Sequence, residues 1–366
     1  MRLLSFVLIC CISLFGCSSQ DDQTPIPTDD DGTGVDLTTM YFPPLSGNEW
    51  ETASMEDLAW NENAVQPLLD LLIEKNTKAF IILKNGRIVM ENYFDETSSG
   101  SNLPWFSAGK TLTAFTTGLA QQEGLLNINE STSTYLGAGW TSLTPEQEIN
   151  IKVRNQLTMT TGLDYTGDLG CTDPSCLLFL NPAGEMWYYH NAPYTLLTNV
   201  IDAVTPNGFT NYYNIKLRDR IGMDGNWIPI GNAVVYFSTP RSMARFGLLN
   251  LNAGTWDGTP ILNDINYFTQ MTTTSQDLNE AYGYLWWLNG KETIRVPGSE
   301  MVFNAEMIPS APDDLIAGLG LNDQKVYVVP SEGLVVIRMG GDAGEMPLGP
   351  SSFDDLLWEK IVALWE

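Results

Sequence analysis

Apolar residues recur along this chain with two different periods, and the stretches where each period holds outline a fold. Val65, Leu68, Leu69, Leu72 and Ile73 keep helical spacing behind Asn61, a residue suited to cap a helix start. Two runs of strand character, residues 78–84 and 87–93, then flank Asn85-Gly86, the pair that best tolerates the backbone of a two-residue hairpin turn. From about Glu96 to about Leu278 strand patterns mostly vanish and helices, turns and Pro/Gly loops take over. Helices are predicted from Ser107 through Ala120 with a stop at Gly124, and over 151–160, 193–203, 211–221 and 240–251. Strand patterns return at 282–288, 314–320, 325–329 and 333–339. A last helix, capped by Ser352, carries Phe353, Leu356, Leu357, Ile361, Leu364 and Trp365 on one side. Strands at both ends and helices between predict an α+β fold, with one antiparallel sheet built from both chain ends, flanked by helices, and a mainly helical domain inserted in it. The sheet part spans 40–95 and 279–366 and the helical part 96–278, so a cleft between them is where a site is expected.

The N-terminus changes this picture by adding a leader. Arg2 precedes an apolar run too short to cross a membrane as an ordinary helix, which is the pattern of an export signal. It ends in Leu14-Phe15-Gly16-Cys17, which resembles the bacterial lipoprotein box. That resemblance implies a signal over 1–17, lipidation of Cys17, and an exported chain anchored to a bacterial membrane. The alternative is a simple secretory signal with an incidental cysteine. Residues 18–39, rich in Asp, Thr, Pro and Gly, predict a disordered tether to a folded domain over 40–366. Gln20-Asp21-Asp22 resembles the acidic tag that sends some lipoproteins of the Bacteroidetes lineage to the cell surface.

Charge narrows the partners. With 44 acidic against 18 basic residues, a formal charge of -26, the surface repels nucleic acid and anionic head groups, so membrane contact is expected through the lipid anchor only. Of five cysteines, Cys10 and Cys11 leave with the signal and Cys17 takes the lipid. Cys171 and Cys176 enclose a turn at Asp173-Pro174 and, in an oxidising compartment, predict a disulfide. A metal site lacks ligands, since His190 is the one histidine of the chain.

The chemistry centres on Ser107-Ala-Gly-Lys110, at the junction of the strand-rich and helix-rich regions. Residues three apart on a helix share a face, so the Ser107 hydroxyl and Lys110 amine point into one cleft. A serine hydroxyl needs a base, and Lys110 serves only when neutral; burial and the positive end of the helix would lower its pKa. The bland reading is a capping serine beside an exposed lysine. A second element, Tyr189-His-Asn191 just before a helix, tips the balance. Alternate residues face the same way, so Tyr189 and Asn191 look into the cleft and His190 elsewhere. A phenol beside a lysine is a proton shuttle and an amide steadies lysine and substrate. His190 inside this motif argues against a Ser–His–Asp triad. Trp286 and Trp287 read as core or cleft wall, one of the two facing inward.

In this order and layout, Ser107-Ala-Gly-Lys110 and Tyr189-His-Asn191 resemble the serine β-lactamase and penicillin-binding-protein superfamily. The Tyr-x-Asn form is similar to class C β-lactamases, their esterase relatives, D-amino-peptide hydrolases and 6-aminohexanoate-oligomer hydrolases. Residues 151–162, 239–247 and 327–331 are similar to family segments, and the resemblance covers nearly all of the chain after the tether. It implies a β-lactamase/transpeptidase-like fold and a serine hydrolase that cleaves a small-molecule or peptide ester or amide without a cofactor. Ser107 would be the acylated nucleophile, Lys110 its base, Tyr189 the proton carrier and Asn191 the organiser. Glu123-Gly-Leu-Leu-Asn127 matches another family device in letters but precedes the tyrosine motif, and reads as coincidence. The third family motif is a cation, a small polar residue and glycine on the strand edging the cleft. Its counterpart here is Gly320-Leu321-Asn322-Asp323-Gln324, with Leu321 where a cation and Asp323 where glycine is expected. The resemblance assigns Asn322 and Gln324 to substrate binding and the oxyanion hole, the latter through the Gln324 N–H. Leu321 weakens recognition of a substrate carboxylate, and Asp323 is expected to crowd the acyl group. These departures argue against an efficient antibiotic-destroying lactamase, and motivate as the competing reading a surface binding protein of the same fold that lost turnover.

Overall fold

The computed structural model describes residues 36–231, 233–344 and 349–365. The expected signal, Cys17, the acidic tag and most of the expected tether lie outside them. In chain order the helices are α1 Val65–Glu74, α2 Lys110–Gln122, α3 Ser133–Leu136, α4 Pro145–Glu148, α5 Val153–Leu157, α6 Asn191–Val204, α7 Gly208–Tyr213, α8 Pro240–Leu251, α9 Ile265–Met271 and α10 Ser352–Val362. The strands are β1 Thr77–Lys84, β2 Arg87–Tyr93, β3 Leu103–Pro104, β4 Asn226–Ile230, β5 Ala233–Ser238, β6 Thr255–Trp256, β7 Thr259–Pro260, β8 Trp287–Leu288, β9 Ile316–Gly320, β10 Gln324–Val329 and β11 Leu334–Gly340.

The main sheet has six strands in the order β2-β1-β11-β10-β9-β8, every pair antiparallel, so strands from the two chain ends meet at β1 and β11. Successive side chains of a strand point to opposite faces. Val326 lies against Gly247 of α8, whereas its neighbour Tyr327 packs on Trp358 of α10. Both faces are therefore covered, which is why β10 and β11 read as nearly continuous apolar runs rather than alternating ones. The β1–β2 turn takes positive φ at both Asn85 and Gly86, as the dipeptide predicts.

Several details depart from the sequence reading. The start of α1 is preceded by a 3-10 turn, Glu62–Ala64, and Asn61 caps that turn through Oδ1 to the Asn63 N–H. Leu68 and Leu72 are buried but Ile73 is exposed, because α1 offers the sheet only one row of its face. Ser351, not Ser352, caps α10, its N–H donating to Asp354 Oδ2 at 2.6 Å. Leu356 is exposed and Trp358 takes a place in the core, on the stripe that Phe353, Leu357 and Ile361 share. Of the strand expected at 282–288, only Trp287–Leu288 joins the sheet; Leu285 adopts φ 60° and folds the segment back on itself. That turn breaks the alternation, so Trp286 and Trp287 are both buried. The largest omission is a second sheet, β3-β5-β4, within the stretch expected to be helical. Cys171 and Cys176 are disulfide-bonded.

Candidate active site

The nucleophile turn is held from behind by the second sheet. β3 pairs with β5, the Trp105 N–H donates to Tyr236 O at 2.8 Å, and Trp105 Nε1 donates to Ser238 Oγ at 2.8 Å. The chain then turns sharply: Phe106 sits at φ 46°, in the left-handed region that side chains rarely adopt, and Phe106–Gly109 form a 3-10 turn. Ser107 therefore lies in a tight turn ahead of α2 rather than in the helix itself. Every residue of 110–120 is buried, making α2 the central helix of the molecule.

Lys110 opens α2, and its Nζ donates to Ser107 Oγ at 2.9 Å. Lys110 is 3 % exposed, and its amine stands 4.8 Å from the centre of the Tyr189 ring and 4.4 Å from that of Tyr194. Burial alone lowers its pKa from the ordinary lysine value to about 7, so near neutrality a large fraction is the free amine. Tyr189 is also buried, which pushes its phenol well above the usual value, against a smaller opposing effect of the nearby Ser107 hydroxyl. Its ring is stacked on Trp287 and met edge-on by Tyr282. The phenol thus stays protonated throughout the neutral range.

Asn191 is the first residue of α6, and with Tyr194 and Thr195 it forms the helical face that lines the cavity. Asn191 Oδ1 is buried without a protein partner, leaving an acceptor free. The cavity measures about 380 Å³. Its remaining walls come from Ser107 and Phe106, from Asp168 and Gly170 beside the disulfide loop, from the β4–β5 hairpin, and from Leu321. A larger cavity, about 480 Å³, lies at the β8–β9 end, and no serine–lysine pair lines it.

The structure brings Ser107, Lys110 and Asn191 together on the cavity wall, sets the buried Tyr189 ring against Lys110 but not, as expected, in the lining, and separates the third-motif residues. Leu321 lines the cavity, while Asn322, Asp323 and Gln324 do not. Arg338 holds the turn by donating to the carbonyls of Asn322 at 2.8 Å and Asp323 at 3.0 Å. The Gln324 side chain is bound to the backbone of Gly340 on both its atoms, at 2.7 and 3.1 Å. Asp323, expected to crowd the acyl group, does not line the cavity. With positive φ, its buried carboxylate turns away to Lys325 at 3.0 Å, Ser351 Oγ at 2.8 Å and the Ala343 N–H at 3.0 Å. The glycine requirement is met instead at Gly320, where an added Cβ would fall 2.3 Å from Trp105 O and 3.0 Å from Ala108 N. Only glycine lets β9 approach the nucleophile turn so closely.

His190 is buried, does not line the cavity, and is held neutral by burial, which lowers its pKa to about 4 against a weaker pull from Asp164. Glu123 pairs with Lys216 at 2.6 Å, away from the cavity. Sequence reasoning missed Tyr194 and the β4–β5 hairpin. Tyr194 was findable, since three residues after Asn191 on a helix share its face. The hairpin also had a signal in Gly231-Asn232 between two β-branched runs.

Known proteins resemble the chain in family and in fold. Residues 69–346, well over half of the chain, match the family model described as Beta-lactamase. No curated protein matches the chain by sequence. A solved structure assigned as a 6-aminohexanoate-dimer hydrolase from Bacillus anthracis gives a TM-score of 0.64 at 17% identity and covers 86% of each chain. A penicillin-binding-protein homologue from Caulobacter crescentus gives 0.62 at 14% identity, over 82% of this chain and 96% of its own. A family VIII carboxylesterase gives 0.59 at 13%, over 82% and 97%. At such identities the likeness establishes the fold. Matched across residues 69–346, with its antiparallel sheet drawn from both chain ends around an inserted helical region, the chain belongs to the β-lactamase family of hydrolases.

Proposed function

We propose that the protein is a serine hydrolase that cleaves an ester or amide through an acyl-enzyme on Ser107. The observation that carries this reading is the 2.9 Å contact of Lys110 Nζ with Ser107 Oγ, made by an amine that is buried and ion-paired with no carboxylate among the described residues. The free amine takes the Ser107 proton as Oγ attacks the substrate carbonyl. Backbone N–H groups at the turn before α2 supply donors for the developing oxyanion. Tyr189, kept neutral by burial, gives its proton to the leaving group as it takes up the one Lys110 received from Ser107, so Lys110 returns to the free amine, and Asn191 orients the substrate. Water then attacks the acyl-enzyme by the reverse route and frees Ser107.

The competing reading, a binding protein without turnover, drew on Leu321 and Asp323. With the Asp323 carboxylate turned away from the cavity, only Leu321 remains in its favour, and Leu321 bears on which substrates fit rather than on the nucleophile. The disulfide supports the further proposal that the chain is exported and anchored through Cys17, since such bonds persist in oxidising compartments. Intact-mass measurement after reaction with a fluorophosphonate tests the central claim. One adduct on Ser107, absent in Ser107→Ala, is expected; hydrolysis that survives in Ser107→Ala would refute it.

A further inference from the structure

The lining of the active-site cavity mixes polar groups with exposed apolar ones. Phe106, Ile230, Val234, Val235 and Leu321 supply its large apolar side chains. Ile230 is 47 % and Val234 38 % exposed, so the hairpin holds apolar surface open to solvent at the cavity itself. Within the hairpin Val234 is paired with Pro229 and Ile230 with Ala233, and the far end of β5, Phe237 and Ser238, is held by β3 and by Trp105 ahead of the nucleophile. Apolar surface left exposed on a fixed wall gains stability when a ligand covers it.

The charged groups tell the same story from the other side. The lining has one cation, Lys110, enclosed between two tyrosine rings and engaged with Ser107. It has one anion, Asp168, whose Oδ1 accepts from the Gly170 N–H. The nearest cations behind the β9–β10 turn are committed elsewhere. Lys325 is fully buried against Asp323 at 3.0 Å and Asp354 at 2.8 Å, and Arg338 is fully buried against backbone carbonyls. A carboxylate on the substrate would lose its water and find no free cation in the lining among the described residues.

We infer that this cavity selects esters or amides whose acyl group is uncharged and apolar, rejects acyl groups carrying a carboxylate, and that Leu321 and the β4–β5 hairpin set this preference. The inference rests on the hydrolase reading for its reaction. In that reaction the ester C–O bond breaks as the Ser107 Oγ–acyl bond forms and the alcohol takes the serine proton; water then restores Ser107 and releases the acid.

Two matched pairs of probes test it. N-phenylhexanamide and N-phenyladipamic acid are titrated calorimetrically into Ser107→Ala, and phenyl hexanoate and phenyl hydrogen adipate are offered to the wild type. The uncharged member of each pair is expected to be favoured about tenfold to a hundredfold, the worth of one charge-bearing hydrogen bond. Leu321→Arg is expected to cut that ratio at least about tenfold, mainly through the adipate KM. Should Leu321→Arg fail to fold, Val234→Lys on the exposed strand supplies the same test. Equal binding of the two amides, binding of neither, or an unchanged ratio in both variants overturns the inference. Selective amide binding with no Ser107-dependent ester turnover upholds the preference and overturns the hydrolase reading instead.

Discussion

Lys110 combines two demands that ordinarily conflict, burial and basicity. Its amine has aromatic faces and a hydroxyl for neighbours, and burial lowers its pKa to about 7. The kcat/KM for an ester should therefore climb as pH rises through about 7 and then level, following loss of the Lys110 proton. Stability should move in the same direction. An unfolded lysine titrates near ~10.4, so between about pH 7 and ~10.4 the unfolded chain holds a proton that the folded chain does not, and folding strengthens as pH rises through that window. Lys110→Met removes both effects. It is expected to lower kcat/KM by about 10²–10⁴-fold while leaving the thermal midpoint at neutral pH unchanged or higher. A variant that unfolds more readily at neutral pH would contradict this account of the site.

Among elements, the turn between β9 and β10 decides most about the cavity. Asn322 and Asp323 both take positive φ, and the turn is kept in that shape from below. Lys325 bridges Asp323 and Asp354, Tyr327 donates to Asp354, and Arg338 takes the two turn carbonyls. Burial raises the Asp323 pKa, but Lys325, the Ala343 N–H and Ser351 outweigh it, so the net shift is downward. Its contribution is present above the ordinary carboxylate pKa and lost as pH falls through the lower folded value. Lys325→Met would leave two carboxylates buried and uncompensated, and should cost about 3–5 kcal/mol in urea unfolding. A loss under about 1 kcal/mol would mean that the network does not hold the turn. The strands themselves were legible, because β10 and β11 are continuous apolar runs and Asn85-Gly86 is a strong turn signal. The direction of the Asp323 side chain was not, since its partners Ala343 and Ser351 lie far along the chain.

At the scale of the whole molecule, the described residues contain no helix long and apolar enough to cross a membrane, and a lipid on a cysteine is one device by which a chain is attached without such a helix. The proposed lipid on Cys17 is such a device, and the acidic chain, at -26, would otherwise be repelled by anionic lipid. Cys17→Ser should move the protein from the membrane fraction to the soluble one with its hydrolase activity intact; retention in the membrane fraction would refute the anchor.

What was written locally could be read locally. The Ser107–Lys110 spacing, the β1–β2 hairpin and the helix at Pro240–Leu251 depend on neighbours within a few residues, and each lies where its pattern places it, whereas of the Tyr189–Asn191 pair only Asn191 lines the cavity. The tertiary structure alone decided that Lys110 sits between the rings of Tyr189 and Tyr194, that the β4–β5 hairpin walls the cavity, and that Gly320 rather than position 323 carries the close approach. These facts arise where segments tens to hundreds of residues apart are packed together. Burial, and with it the pKa of Lys110 and the charge character of the cavity, belongs to that packing and to no stretch of the chain taken singly.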